Sequence, residues 1–135
     1  MSDEPDVGAD RRALGEATRR KVLGDAHVDR SMSAATAFDE PFVRFITEGA
    51  WGAVWSRPQL THRERSLITL ALLGALGHHE ELALHTRATA STGASPDDIR
   101  EALLHVGVYA GVPAAMSAFR VVKRTLAEME AADDD

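Results

Sequence analysis

Cysteine is missing from all 135 residues, and that absence alone removes disulfides, thiolate nucleophiles, CxxC redox pairs and zinc ribbons. Any metal would have to rest on histidine and carboxylate ligands. Positive charge is scarce: 15 Lys and Arg stand against 21 Asp and Glu, a formal net charge of -6. No nucleic-acid partner is expected, because neutralising a phosphate backbone needs a clustered basic surface. No uninterrupted apolar run reaches the roughly 20 residues of a membrane-spanning helix, and the opening MSDEPDVGAD has neither the basic nor the apolar region of a signal peptide. No membrane partner is expected, and cytoplasmic residence is. Also lacking are period-two apolar alternation, internal repeats, GxGxxG or GxxxxGK phosphate loops, an EF-hand loop and a GxSxG elbow. Their absence disfavours nucleotide, calcium and α/β-hydrolase functions.

What is present reads as helices. The length and the 44% hydrophobic content suit one domain with a real core. That domain is expected over residues 11–130, between acidic ends at 1–10 and 131–135 that are expected to be mobile. Arg11 to Leu23 is rich in helix formers with a modest apolar face. Ser31 to Ala37 reads as a loop leading to a helix whose stripe is Phe42, Phe45, Ile46, Ala50, Ala53 and Val54. Pro58 stops it. Trp51 and Trp55 share a face of that helix, as core or as an aromatic wall.

Thr61 and Glu64 have capping-box spacing, and the helix they start runs through SLITLALLGALG, apolar nearly all round. Gly77 either bends or breaks the run; continuity with local distortion is the expectation, so that His78, Glu81 and His85 share one helical face. Gly93 ends that helix, and Ser95-Pro96-Asp97-Asp98 is a strong start for the next. Its buried face of Ile99, Leu103, Val106 and Ala110 is interrupted at Gly111 and Pro113, and Ala114 to Met129 forms the last helix. The chain reads as all-α, with an apolar surplus that predicts a homo-oligomer.

Three readings of His78, Glu81 and His85 stay open: polar positions without chemical consequence, a metal site, and an acid/base site. Spacing weakens the second, since histidines seven residues apart lie roughly 10 Å apart along a helix, and HHEELALH is not the HExxH zinc arrangement. No metal is expected. Glu81 and His85 are one turn apart, and a carboxylate beside an imidazole favours the imidazolium, a proton donor or a counter-charge for an anion. Arg63, Arg65 and Arg87 flank the region with guanidinium forks suited to carboxylates, although for each a solvated helix face is the simpler reading. Arg65-Ser66 lies near the positive helix end. Tyr109, the only tyrosine, lines a pocket or makes a structural hydrogen bond.

Four segments, WGAVW at 51–55, RSLITLA at 65–71, ELALH at 81–85 and YAGVPAAMSAFR at 109–120, taken together and in order, resemble the carboxymuconolactone decarboxylase family over about Phe42 to Glu128. The resemblance implies an all-helical bundle of the alkylhydroperoxidase D-like type. It further implies a homo-oligomer, a hexamer, and cofactor-independent loss of carbon dioxide from a small carboxylated lactone. That reaction converts 4-carboxymuconolactone to 3-oxoadipate enol-lactone in protocatechuate catabolism, within the β-ketoadipate pathway. Redox members of the wider family carry CxxCxxxH on the corresponding helix; here His78 and Glu81 stand where the cysteines would be, which disfavours thiol peroxidase activity. A Trp-Asp pair of the decarboxylase branch is replaced by His79-Glu80. Under the resemblance His85 delivers a proton, Glu81 is its orienter or relay, Arg65, Ser66 and His78 bind carboxylate or oxyanion, and Trp51, Trp55 and Tyr109 are wall candidates. Another lactone-processing or isomerising enzyme of the family, and a non-catalytic ligand-binding or assembly protein, remain alternatives.

Overall fold

The computed structural model describes residues 7–134, and every regular element among them is helical. Two compact units meet in sequence between Leu60 and Thr61, inside the stretch expected to form one domain. The first contains α1 (Val7–Leu23), α2 (Asp25–Ala34), α3 (Glu40–Ile46) and a π-helix (Thr47–Trp55). Helix α1 begins at Val7, so 7–10 of the end expected to be mobile form its first turn, and residues 1–6 lie outside the described residues. The loop expected from Ser31 is corrected: Ser31 to Ala34 are the last turn of α2. Val28 is the one residue α2 buries, so no apolar stripe announces this helix.

The stripe expected from Phe42 to Val54 is corrected as well. Trp51 and Trp55 are buried, whereas Phe42 and Phe45 stand 61% and 68% exposed and stack on each other at 6.5 Å. The winding explains the split. A π-helix bonds i to i+5 and carries more residues per turn than an α-helix, so a stripe drawn at α-helical spacing falls out of register where α3 gives way to the π-turns. The wide turns pack on α1 through two glycines. A Cβ on Gly15 would overlap the carbonyl oxygen of Thr47, and one on Gly52 would come within 2.6 Å of Arg11. Polar bonds fix the same face: Arg12 Nη1 donates to Glu48 at 2.8 Å, Thr18 and Ser56 hydroxyls meet at 2.7 Å, and Ser56 donates to the Trp51 carbonyl at 2.6 Å.

The second unit contains α4 (His62–Leu76), α5 (His79–Thr92), α6 (Pro96–Tyr109) and α7 (Val112–Asp133). Helices α4 and α7 each contact the other three. Their core is Leu70, Leu82, Ile99, Leu103, Val106, Ala115, Ala118, Val121 and Val122, and Gly74 lets α4 approach Ala118 on α7, where an added Cβ would lie 3.1 Å from that side chain. Helix α7 starts at Val112, with Pro113 in the first turn where its missing N–H costs nothing. It extends to Asp133, into the end expected to be mobile.

Continuity through Gly77 is corrected by the structure. Gly77 adopts φ 76°, ψ 24°; its N–H donates to Gly74 at 3.3 Å and the His78 N–H to Leu73 at 3.0 Å. This is a Schellman ending, which satisfies the last carbonyls of α4 and stops the helix. His78 becomes the N-cap of α5, with φ -85° and ψ 79°.

Replacing Gly15 with alanine is expected to cost about 3 kcal/mol or more, the upper range for overpacking a tight contact. Gly49→Ala, where nothing lies within 4 Å of an added Cβ, is expected to change stability by less than about 1 kcal/mol. Urea denaturation of the two variants checks the contrast.

Candidate active site

The start of α4 is held by the sequence around it. Thr61 Oγ1 accepts from the Glu64 N–H at 3.1 Å, and Glu64 Oε1 accepts from the Thr61 N–H at 2.9 Å, closing the expected capping box. The Thr61 backbone bond, then its hydroxyl, hold the Glu64 carboxyl below its ordinary value. Helix α6 starts the same way, with Ser95 Oγ accepting from the Asp98 N–H at 3.1 Å and Asp98 accepting from the Ser95 N–H at 2.9 Å. Arg63 then ties the two starts together: Nε reaches Asp98 Oδ2 at 2.9 Å and Nη2 reaches Oδ1 at 2.6 Å. The Arg63 fork and the Ser95 N–H hold the Asp98 carboxyl down to about 2. Arg63 is thereby committed to structure, 35 residues away in sequence, which local spacing could not reveal.

Immediately behind Arg63, Arg65 and Ser66 are buried on α4. The Ser66 hydroxyl is fully buried and has no hydrogen-bond partner among the described residues, although the nearby Thr69 hydroxyl donates back to the Arg65 carbonyl at 2.8 Å. A buried hydroxyl that does not bond its own helix is an oxygen available to something else. Helix α5, in contact with α4, buries Leu82, Thr86, Ala88 and Thr89 and is stiffened by Thr86 donating to the Leu82 carbonyl at 2.7 Å. His85 lies beside that buried face, half-buried, with its Nδ1 out of solvent. Glu81 is exposed one turn earlier on the same helix. His78 is exposed at the N-cap. The face expected to hold three residues therefore holds two, because the Gly77 turn takes His78 off the helix.

The aromatic residues divide differently. Tyr109 closes α6 at 85% exposure and stacks on His105 at 6.2 Å with rings 8° from parallel. Trp51 and Trp55 belong to the first unit, where their rings stack at 5.0 Å in the π-helix. Arg87 is exposed on α5. Among the described residues no group of three or more His, Asp or Glu side chains is placed to hold a metal ion, and no helix is long and apolar enough to cross a membrane.

Helix α5 thus carries an imidazole and a carboxylate one turn apart, and the helix it contacts, α4, buries an arginine and a serine. The chain belongs to the carboxymuconolactone decarboxylase family, which matches residues 40–124. It is 40% identical over 129 residues to the 4-carboxymuconolactone decarboxylase of Acinetobacter baylyi, covering 96% of this chain and 92% of that one. It is also 42% identical over 115 residues to a nitrosuccinic acid decarboxylase of Metarhizium robertsii, covering 85% of this chain and 80% of the relative. Both relatives are named as decarboxylases; their named substrates differ.

The Asp98 shift has a fixed sign. A carboxyl whose pKa is depressed on folding contributes stability that is present above its unfolded value of about 3.9 and is lost as pH falls toward about 2. Arg63→Gln removes the main cause of the depression. Its melting temperature is expected to lie below that of the unsubstituted protein at pH 5, with the gap closing as the pH approaches 2 in thermal melts followed by circular dichroism.

Proposed function

We propose that the chain is a cofactor-independent decarboxylase that converts 4-carboxymuconolactone to 3-oxoadipate enol-lactone in protocatechuate catabolism. The observation that carries the reading is the 40% identity to a protein named for that substrate, sustained over 96% of this chain and so covering residues of both units. The chemistry asks little of the protein. When the bond between the ring carbon and its carboxylate breaks, carbon dioxide leaves and the electron pair passes through the ring double bond into the lactone carbonyl. The substrate is its own electron sink. What remains for the protein is to hold the second carboxylate, stabilise the developing oxyanion and return a proton to carbon.

In this reading the His85 imidazolium delivers the proton and recovers one from water, while Glu81 orients the imidazole or relays its proton. Arg65 and the Ser66 hydroxyl bind carboxylate or oxyanion, since a buried guanidinium and an uncommitted O–H both gain from an anion. His78 contributes at the rim, and Tyr109 supplies a wall. The same reading carries a homo-oligomer, a hexamer, supported by Ile68, Leu72 and Leu76, which leave one face of α4 exposed at four-residue spacing.

A second reading rests on the other relative. Nitrosuccinic acid also bears two carboxylates and a built-in electron sink, since a nitro group accepts the pair left by an adjacent carboxylate. The protein tasks are alike, so the 42% identity supports this substrate on similar grounds.

Purified protein is expected to release carbon dioxide from 4-carboxymuconolactone, and release from nitrosuccinate alone would replace the first reading by the second. His85→Gln is expected to lower kcat by about 10²- to 10⁴-fold, the usual contribution of a positioned acid. Glu81→Gln is expected to lower it about tenfold. Unchanged turnover in both variants, with folding intact, removes these residues from the mechanism.

A further inference from the structure

Unit one contains a charge that its neighbours leave uncompensated. Arg19, on α1, is only 6% exposed, yet it makes no ion pair among the described residues. Its Nη2 donates to Ser31 Oγ on α2 at 3.1 Å, and its Nε is buried without a hydrogen-bond partner. The adjacent Arg20 shows the contrast, with Glu16, Asp25 and Asp29 at 3.3, 3.1 and 2.8 Å. Burial, then the repulsion of Arg20, pushes the Arg19 guanidinium below its ordinary range. Proteins seldom bury arginine without a partner, because the lost hydration is not otherwise recovered.

Arg19 forms part of the wall of a cavity of about 580 Å³ that lies wholly within the first unit. Ala13, Val28, Met32, Ala35 and Val43 make its apolar side. Its two carboxylates are already engaged, Glu16 by Arg20 at 3.3 Å and Glu40 by Arg44 at 2.8 Å. Arg12, also on the wall, is paired with Glu48 at 2.8 Å. With those pairs cancelling, the positive charge left over is Arg19.

We propose that this cavity binds a small organic monocarboxylate with an apolar body, whose carboxylate forms the ion pair that Arg19 lacks. The guanidinium offers a planar fork that matches a carboxylate, and Ser31, whose oxygen accepts from Arg19 Nη2 at 3.1 Å, positions that fork. The apolar side receives the body of the ligand. A phosphate dianion suits the cavity less well, because a single surplus cation faces it and Glu16 and Glu40 repel a second negative charge. None of Arg65, Ser66, Glu81 or His85 is involved, so the site does not depend on the decarboxylase reading.

Titration calorimetry of the full chain with hexanoate tests the proposal, with hexanamide and inorganic phosphate as comparison probes. Saturable binding of hexanoate, little of hexanamide and no displacement by phosphate are expected. Arg19→Met is expected to weaken hexanoate binding about 10- to 100-fold, the usual range for a charged hydrogen-bonded pair. Ser31→Ala is expected to weaken it about 2- to 10-fold. If Arg19→Met does not fold, Ser31→Ala and the hexanoate-to-hexanamide contrast decide. Equal binding of the two probes, no saturable hexanoate binding in the millimolar range, or unchanged binding by a folded Arg19→Met overturns the proposal. So does hexanoate affinity that falls as protein concentration rises, which would mark a carboxylate of a second copy as the occupant.

Discussion

The positive φ of Gly77 is the constraint on which the second unit turns. A helix continued through this position would be a rod from His62 to Thr92, and His85 would stand about 13 Å beyond Leu76, away from the core that Leu70 begins. A residue without a Cβ takes the left-handed conformation at little steric cost, and the two bonds from the Gly77 and His78 amides close the end of α4. Helix α5 then returns beside α4, and Leu82 joins Leu70 in one core. His85, one turn beyond Leu82, is thereby set at the edge of that core, half in and half out of water. The other end of α4 is fixed independently by the fork from Arg63 to Asp98, so the helix that carries Arg65 and Ser66 is anchored at both termini.

That anchoring suits a reaction in which the substrate accepts its own electrons. Where the ring or a nitro group is the sink, a protein gains by placing a few polar groups rigidly in a dry setting, where each interaction with developing charge is stronger. The two decarboxylase relatives are named for a lactone and for a nitro acid, compounds of different shape. Under the proposed function, substrate choice rests on residues around the proton donor, such as the His79-Glu80 pair, more than on the donor itself.

Features with local causes were the most legible in the sequence. The capping boxes at Thr61 and Ser95, the stop at Gly93 and the break before Pro113 each involve residues within a few positions of one another, and each is found as expected. Gly77 was legible as a choice between bend and break, and the apolar residues on both sides of it concealed which one wins. Helix α2 escaped notice because a helix that buries only Val28 has no periodic stripe. The Phe42 stripe misled for the opposite reason: apolar periodicity marks a face but not what covers it, and π-helical winding alters the period itself. In the candidate site, the one-turn relation of Glu81 and His85 was legible from spacing. The commitment of Arg63 to Asp98, and the burial of Arg19, depend on residues far apart in the chain or on the absence of an acid, and neither leaves a local pattern.

The π-helix also bears on how this chain tolerates changes in length. Removing a residue from an ordinary α-helix throws every later side chain about 100° around the axis, and the fold must either reject the lesion or bulge to absorb it. Between Thr47 and Trp55 the backbone already carries more residues than an α-helical ladder needs. A single deletion there could be taken up by tightening the winding, so the helix would survive. What would change is the direction in which Trp51 and Trp55 point, so in this short segment the gain or loss of one residue re-aims the stacked indole pair while leaving the helix itself in place.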